Sequence, residues 1–297
     1  GRGRSSKTRD GLSVGLQRAV AIRQRPAGSV ALPPMGSPSL SRVQLLIEER
    51  EGRLEVENLG RLPLRVNGRR ASAQTLTTGD VVELGGSLVM LCARRPVRLR
   101  NAREDFEFGC ADPYGMVGES AAAWELRAAI ERSAEHRGHV LVLGQTGVGK
   151  ELAARALHLI ANPPGELIAR NAATIPEALV DAELFDNAKG YPNHGLPERP
   201  GLIGLANQGT LFLDEFADLQ QAAQAHLLRV LDSGEYHRLG EGAARTSDFR
   251  LIAATSRPET DLRKDLAARF EFILEVPPLA ARTEDIPALA THLLSEM

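Results

Sequence analysis

The sequence predicts an α/β chain in which a parallel sheet flanked by helices follows a small all-β sandwich. Three observations carry that expectation. Residues 144–151 read Gly-Gln-Thr-Gly-Val-Gly-Lys-Glu and lie between an apolar-leaning run at 139–143 and a helical pattern at 152–161. From Val117 onward, helical and extended patterns alternate, as they do where helices cross over a parallel sheet. Residues 19–93 instead show short apolar segments separated by turn signals, with no helical period.

Taken in order, the first ten residues carry Arg2, Arg4, Lys7 and Arg9 against one acid, Asp10. Residues 1–18 therefore read as a disordered basic tail, with nucleic-acid contact as the alternative. Within 19–93, apolar segments at 45–47, 54–56, 64–66, 81–84 and 88–91 alternate with Asn67-Gly68, Gly79-Asp80 and Gly85-Gly86. Asn and Gly accept the positive φ of tight hairpins, so these segments predict antiparallel strands. Residues 94–115 are charged, contain Pro96 and Pro113, and predict a linker. Residues 116–297 predict the α/β domain, with helices over 121–133, 152–161, 176–185 and 219–231. Its strands are expected over 139–143, 167–170, 210–214, 249–255 and 272–276. Leu219, Ala223, Leu227, Val230 and Leu231 share one helix face, and Gly234 is placed to end that helix.

A chain of 297 residues with 43% hydrophobic content suffices for two cores, at roughly 150 residues per domain. Its net charge of −2 names no polyanionic partner. Cys92 and Cys110 have no CxxC spacing and no His cluster beside them, which excludes a disulfide framework or zinc site and points to a reducing compartment. No apolar run approaches the ~18 residues that span a bilayer, and the N-terminus lacks an apolar signal core. A cytoplasmic protein with no membrane partner is the expectation.

The order of strand, Gly-rich loop, Lys and helix is what a polyphosphate needs. Successive backbone N–H groups and the helix N-terminus surround the anion, and the Lys adds a charge. Gly144, Gln145, Thr146, Gly147, Val148, Gly149, Lys150 and Glu151 are therefore the candidate nucleoside triphosphate site. Glu151 stands where this motif has the Ser or Thr that holds Mg²⁺, so metal coordination is expected partly from elsewhere. Residues 209–216, Gly-Thr-Leu-Phe-Leu-Asp-Glu-Phe, form an apolar strand that ends in two carboxylates. Side chains alternate along a strand, so one of Asp214 and Glu215 is expected to face the metal while the other polarises water. The alternative is that two acids merely end a buried strand.

With these motifs in order, residues 117–297 resemble the AAA+ ATPase domain of bacterial enhancer-binding proteins, the sigma-54 interaction family. The resemblance runs through Gly118-Glu119-Ser120, the Lys-Glu ending of the Gly-rich loop, Glu183-Leu184-Phe185, Arg199-Pro200-Gly201 and the Asp-Glu strand. It continues through 251–255, 263–270 and Pro277-Pro278-Leu279 to Glu284-Asp285-Ile286-Pro287. It implies ATP and Mg²⁺ as cofactors, with Lys150 on the β- and γ-phosphates, Asp214 on Mg²⁺ and Glu215 on the hydrolytic water. It implies that Asn171 holds Glu215 until the γ-phosphate is sensed, and that Thr255 is a sensor followed by Ser256 where the family has Asn. Arg263 and Arg269 match arginines that reach a neighbouring subunit's nucleotide, which implies a self-assembled ring, expected as a hexamer. A guanidinium offered in trans is worth ~10³–10⁵ in rate.

Two departures fall on the element that couples hydrolysis to sigma-54 RNA polymerase. The family's Gly-Ala-Phe-Thr-Gly-Ala loop is Gly190, Tyr191, Pro192, Asn193, His194 and Gly195 in this chain. Pro192 and Asn193 occupy the contact positions, or Tyr191 replaces the Phe with a one-residue shift. The family's Pro-Gly-Arg-Phe-Glu is Pro200-Gly201-Leu202-Ile203-Gly204, without either charge.

The N-terminal segment resembles a forkhead-associated (FHA) domain, a sandwich that reads phosphothreonine, on Ser41-Arg42, Val66-Asn67-Gly68 and residues 76–85. That resemblance implies Arg23 or Arg25 with Ser41 and Arg42 as the phosphopeptide site, since a dianion favours charge-assisted donors. Gln44 stands where the family has a bracing His. A structural or protein-docking sandwich is the alternative. The leading function is thus an ATP-hydrolysing AAA+ regulator of sigma-54-dependent transcription, controlled through an FHA-like domain. A non-activating oligomer and an FHA-type scaffold are the competing readings. The resemblance places a helical lid from about residue 284 onward, and DNA binding only in a C-terminal helix-turn-helix domain beyond residue 297.

Overall fold

The computed structural model describes residues 11–14, 22–25, 28–31, 39–41, 43–93, 106, 107, 109–191 and 200–297. The chain divides into two units, Gly1–Glu104 and Asp105–Met297.

Among the described residues, the first unit contains ten strands: β1 Gly11–Val14, β2 Ile22–Arg25, β3 Gly28–Ala31, β4 Leu45–Arg50, β5 Arg53–Asn58, β6 Leu64–Val66, β7 Arg69–Ala71, β8 Ala73–Leu76, β9 Val81–Leu84 and β10 Leu88–Leu91. Two four-stranded antiparallel sheets run β1-β4-β5-β8 and β10-β9-β6-β7, and β2 pairs with β3. Leu45, Val56 and Leu76 from one sheet pack with Leu64, Val66, Val82 and Leu84 from the other in a single buried cluster. Asn67-Gly68 turns the chain between β6 and β7 with φ of 50 and 76 at its two residues, the handedness that matches strand twist in a tight hairpin. One boundary differs from expectation. Residues 11–14, read as part of a disordered tail, form β1 on β4. Residues 1–10 and 15–18 of that segment lie outside the described residues.

The second unit is built on a five-stranded parallel sheet, β12-β13-β16-β11-β17. Its strands are β11 His139–Leu143, β12 Leu167–Asn171, β13 Thr210–Asp214, β16 Arg250–Thr255 and β17 Phe270–Glu275, and a two-stranded hairpin joins β14 Glu235–His237 to β15 Ala244–Thr246. Helices are α1 Ala121–Ala134, α2 Lys150–Ala161, α3 Val180–Phe185, α4 Leu202–Leu205, α5 Gln221–Ser233, α6 Lys264–Ala267 and α7 Ile286–Ser295. The helix expected over 176–185 is a 3₁₀ turn, Glu177–Leu179, followed by α3. Gly234, at φ 72, ends α5 by donating to the Val230 carbonyl at 2.7 Å.

Strand alternation sends side chains into two cores. Val140, Val142, Phe212, Ile252 and Ala254 pack with Ala153, Ala156 and Leu157 of α2 on one face. Leu141, Leu211, Leu213, Leu251 and Ala253 pack with α3, α4 and α5 on the other. Near-continuous apolar strands are what a parallel sheet covered on both faces requires.

The linker expected over 94–115 ends earlier than its composition implied. Phe106 stacks on Trp124 at 5.6 Å, and buried Asp112 pairs with Arg127 Nε at 2.7 Å, so residues from 106 onward belong to the second unit. Arg127 also donates to the carbonyls of Gly118 and Met116 at 2.7 and 2.8 Å. Asp285 draws the two ends of this unit together. Its carboxylate accepts Glu119 N–H at 2.7 Å, Ser120 N–H at 2.8 Å and Ser120 Oγ–H at 2.7 Å, while Ser120 caps α1 through Ala123 N–H. Among the described residues, no helix is long and apolar enough to cross a membrane.

Candidate nucleotide site

The Gly-rich loop leaves β11 at Leu143, turns back through Val148 N–H on the Gln145 carbonyl at 3.4 Å, and enters α2 at Lys150. Gly144 is sterically required, because a Cβ there would lie 2.9 Å from Val148 Cγ2 and 3.1 Å from the Val276 carbonyl. Gly147 and Gly149 are required for handedness instead: they stand at φ 79 and 103, and a Cβ on either would meet nothing within 4 Å. The space they leave open is where a phosphate would approach the backbone.

Lys150 is 5% exposed and turns back over the loop. Its Nζ donates to the Gly144 and Gln145 carbonyls at 3.1 and 3.3 Å and lies 3.5 Å from Glu215 Oε1. Glu151 points outward on the first turn of α2 and is exposed.

Asp214 and Glu215 diverge, but for a reason that strand alternation does not supply. β13 ends at Asp214, and Glu215 takes a left-handed conformation, φ 45 and ψ 45, which swings its side chain towards the end of β16. There Ser256 Oγ–H donates to Glu215 Oε2 at 2.9 Å. Burial works against the charged Glu215 carboxyl, but the Ser256 hydroxyl and the Lys150 ammonium outweigh it and hold the group below its ordinary value of 4.5. These contacts therefore stabilise the fold above about pH 4.5, and their contribution is lost as pH falls through the lowered value. Ser256→Ala is expected to move the Glu215 titration upward, and a carbon-detected NMR titration of the side-chain carboxyl checks it.

Two implied contacts differ in this structure. Asn171 lies opposite Asp214 in register, but its Oδ1 caps the next 3₁₀ turn by accepting Ala173 N–H at 2.9 Å. The polar side chain on Glu215 is Ser256 rather than Asn171, so the shorter residue at the position after Thr255 still reaches the carboxylate. Thr255 is fully buried and accepts Arg257 N–H at 3.0 Å. Arg263 and Arg269 flank α6 and are paired within the chain, with Asp265 at 2.6 Å and with Asp232 respectively.

Beside the loop lies a largely apolar cleft of about 580 Å³, walled by Met116, Val117, Leu152, Leu279 and Leu289 and closed at one end by Gln145–Gly149. Arg282, on its rim, donates to the Val148 carbonyl at 3.2 Å and ties the loop to the chain preceding α7. Neither this cleft nor Arg282 is visible in the motif, because its walls come from segments more than 100 residues apart. Among the described residues, no group of three or more His, Cys, Asp or Glu side chains could hold a metal by itself.

Comparison with known proteins decides the family. The profile of the Sigma-54 interaction domain matches residues 116–274. The chain belongs to the sigma-54 interaction domain family. It is 42% identical over 187 residues to the transcriptional regulator VasH of Vibrio cholerae, covering 60% of this chain and 35% of VasH. It is 34% identical over 317 residues to the anaerobic nitric oxide reductase transcription regulator NorR of Aliivibrio fischeri, covering 95% of this chain and 62% of NorR. Among solved structures it is similar to NtrX from Brucella abortus in complex with ADP, with a TM-score of 0.55 and 34% identity over 61% of this chain and 41% of NtrX. NtrX in complex with ATP gives a TM-score of 0.53 and 36% identity over 59% and 41% of the two chains. The chain thus spans about a third of VasH and under two thirds of NorR.

The 190–195 loop is described only at its start. Gly190 stands at φ 81 and Tyr191 N–H donates to the Ala188 carbonyl at 3.2 Å, whereas Pro192, Asn193, His194 and Gly195 lie outside the described residues. In the N-terminal unit, Arg23 and Arg25 are on β2 with their side chains undescribed, and Arg42 lies outside the described residues. Ser41 Oγ accepts Arg61 N–H at 3.1 Å. Gln44 is fully buried and braces both loops: its amide donates to Asn58 Oδ1 at 2.7 Å and to the Leu62 carbonyl at 3.1 Å, and its carbonyl accepts Ser41 N–H at 3.3 Å. A buried amide with several partners ties these segments to one another.

Proposed function

We propose that this chain binds and hydrolyses ATP in a self-assembled ring and couples hydrolysis to remodelling of a sigma-54 transcription complex. The observation that carries the reading is the meeting of Lys150, Glu215 and Ser256 at the mouth of the Gly-rich loop, with Lys150 Nζ 3.5 Å from Glu215. The Lys is held where incoming phosphate oxygens replace the loop carbonyls and the carboxylate as its partners. Glu215 is kept ionised, the state in which it can accept a proton from an attacking water. Asp214 would hold Mg²⁺ together with phosphate oxygens, and the ion would neutralise charge on the triphosphate. The apolar cleft takes the adenosine moiety.

Arg263 and Arg269 enter this reading as donors to a neighbour's nucleotide. Each has a local carboxylate that an adjoining subunit's phosphate would replace. The test is complementation in mixed rings. Arg269→Ala and Lys150→Ala chains, each inactive alone, are expected to recover part of the ATP turnover when mixed, because one supplies the loop and the other the guanidinium. No recovery at any ratio would remove the trans role. Loss of turnover in Glu215→Gln, with nucleotide affinity retained, checks the base.

A second reading rests on Pro192 and Asn193 in the coupling loop: the ring assembles and turns over ATP without opening sigma-54 promoters. Open-complex formation by purified sigma-54 polymerase with this protein and ATP would rule it out. For the N-terminal unit the reading is a docking sandwich that governs assembly, with phosphothreonine read by Ser41 and Arg42 as its narrower form. Calorimetry with a phosphothreonine peptide and its unphosphorylated twin separates the two.

A further inference from the structure

The segment leading into the 190–195 loop is tied down at one carboxylate. Asp186 follows α3, is 4% exposed, and stands at φ 72 and ψ 159, a region that residues with side chains adopt only when their surroundings over-determine it. Those surroundings are identifiable. The Asp186 carboxylate accepts Gly201 N–H, takes the Tyr236 hydroxyl at 3.4 Å, and pairs with Arg238 Nε at 3.3 Å. Arg238 and Tyr236 are both buried, so this is a desolvated ion pair rather than a surface contact. The main chain runs alongside: Leu239 N–H donates to the Asp186 carbonyl at 3.1 Å, and Ala188 N–H to the Leu239 carbonyl at 2.9 Å. Asp186 and Gly201 flank residues 187–200, and Tyr236, Arg238 and Leu239 belong to the β14 side of the hairpin.

An independent observation comes from Gly204 in α4. A Cβ at that position would lie 2.7 Å from the Tyr236 hydroxyl and 3.5 and 3.6 Å from the two Asp186 carboxylate oxygens. Position 204 therefore points at the spot that the Asp186 carboxylate fills. Arg238, buried beside that spot, is paired with the Asp186 carboxylate through Nε and lies 3.6 Å from Glu241 through Nη1.

We propose that Asp186 is a positioning residue: its carboxylate fills the spot at which position 204 points and, through Arg238 and Tyr236, locks residues 186–191 to the hairpin as one unit.

The test relocates the charge. In the full chain, Asp186→Gly is expected to lower the thermal midpoint of the second unit by roughly 10 °C. Hydrogen exchange at 187–191 and 235–241 should rise about tenfold while α2 is unchanged. Gly204→Glu alone is expected to lower the midpoint too, because the new side chain meets Tyr236 and a second carboxylate. The double variant Asp186→Gly, Gly204→Glu is expected to be more stable than either single variant and to restore local protection. A double variant whose losses simply add would overturn the proposal, as would a rise in midpoint for Asp186→Gly, which would make backbone strain the larger effect. Should Asp186→Gly fail to fold, Asp186→Asn removes only the charge; unchanged exchange at 235–241 in that variant would overturn the proposal equally. None of these readouts uses nucleotide or polymerase, so they stand apart from the ATPase reading.

Discussion

A Lys150→Ala chain is expected to bind MgATP at least about a hundredfold more weakly than the parent, a loss appropriate to truncating a desolvated charge partner of phosphate. The geometry sets the size of the effect. Lys150 is 5% exposed and its Nζ is held by two loop carbonyls and Glu215, so its position is defined before any ligand arrives. Removing the ammonium leaves the loop N–H groups and the α2 N-terminus, which still attract phosphate but without a full charge. Titration calorimetry with a slowly cleaved ATP analogue reads the loss directly. An affinity within threefold of the parent would show that the triphosphate does not sit on this loop. The variant is expected to keep the parent's fold, because Glu215 retains the Ser256 hydroxyl.

Arg127→Ala is expected to destabilise the second unit by about 3–5 kcal/mol, the cost of leaving a buried carboxylate without its partner. For a unit of this size that lowers the thermal midpoint by about 6–20 °C, read by calorimetric scanning. Each nitrogen of the guanidinium is engaged: Nε pairs with Asp112 at 2.7 Å, the terminal nitrogens donate to the carbonyls of Gly118 and Met116, and the Phe106 and Trp124 rings lie 5.0 and 4.8 Å from its carbon. Truncation thus removes the cation beside Asp112, whose Oδ1 keeps only the Tyr114 and Met116 N–H groups, and withdraws a donor from the Gly118 and Met116 carbonyls. Met116 and Val117, which Arg127 holds in place, also wall the apolar cleft, so the variant is expected to weaken nucleotide binding below its melting range. A midpoint shift under 3 °C would contradict the account. Replacing Asp112 as well, with both positions apolar, is expected to recover part of the loss, since a buried pair costs desolvation that neither partner incurs once both are gone.

Much of the fold was legible residue by residue. β11 and β13 coincide with the apolar runs at 139–143 and 210–214, and Gly234 ends α5 through the left-handed conformation that Gly adopts without strain. These are local matters of period, propensity and handedness. The short apolar runs of the N-terminal unit were equally plain, because each lies between turn residues that admit positive φ. β1 was not, since a four-residue edge strand beside basic residues has too little pattern to distinguish it from a tail. The linker was over-extended for the opposite reason: Asp112 and Pro113 look like loop chemistry, and it is the buried Arg127 that makes the segment part of the core.

At the candidate site, the Gly-rich loop and Lys150 were proposed from spacing and Asp214 and Glu215 from an apolar strand ending in two acids, and the structure brings Lys150 and Glu215 together. Which neighbour holds Glu215 was not legible in the sequence. Asn171 and Ser256 are 44 and 41 residues from it, and only the left-handed turn at Glu215 makes Ser256 the one that reaches the carboxylate. The Asp186–Arg238 pair is similar: nothing in the local sequence of either residue announces the other.

The amino-acid order by itself determined the α/β architecture and the candidate residues for a triphosphate, since these follow from periodicity and from backbone conformations that few side chains allow; the family followed from the resemblance of its motifs. Tertiary structure alone decided the pairings: Ser256 with Glu215, Asp285 with Ser120, Arg127 with Asp112, and Asp186 with Arg238. The physical reason is that a buried charge or donor requires some partner within about 3 Å, but chemistry does not say which. That choice belongs to the packing of distant segments around the two faces of one sheet.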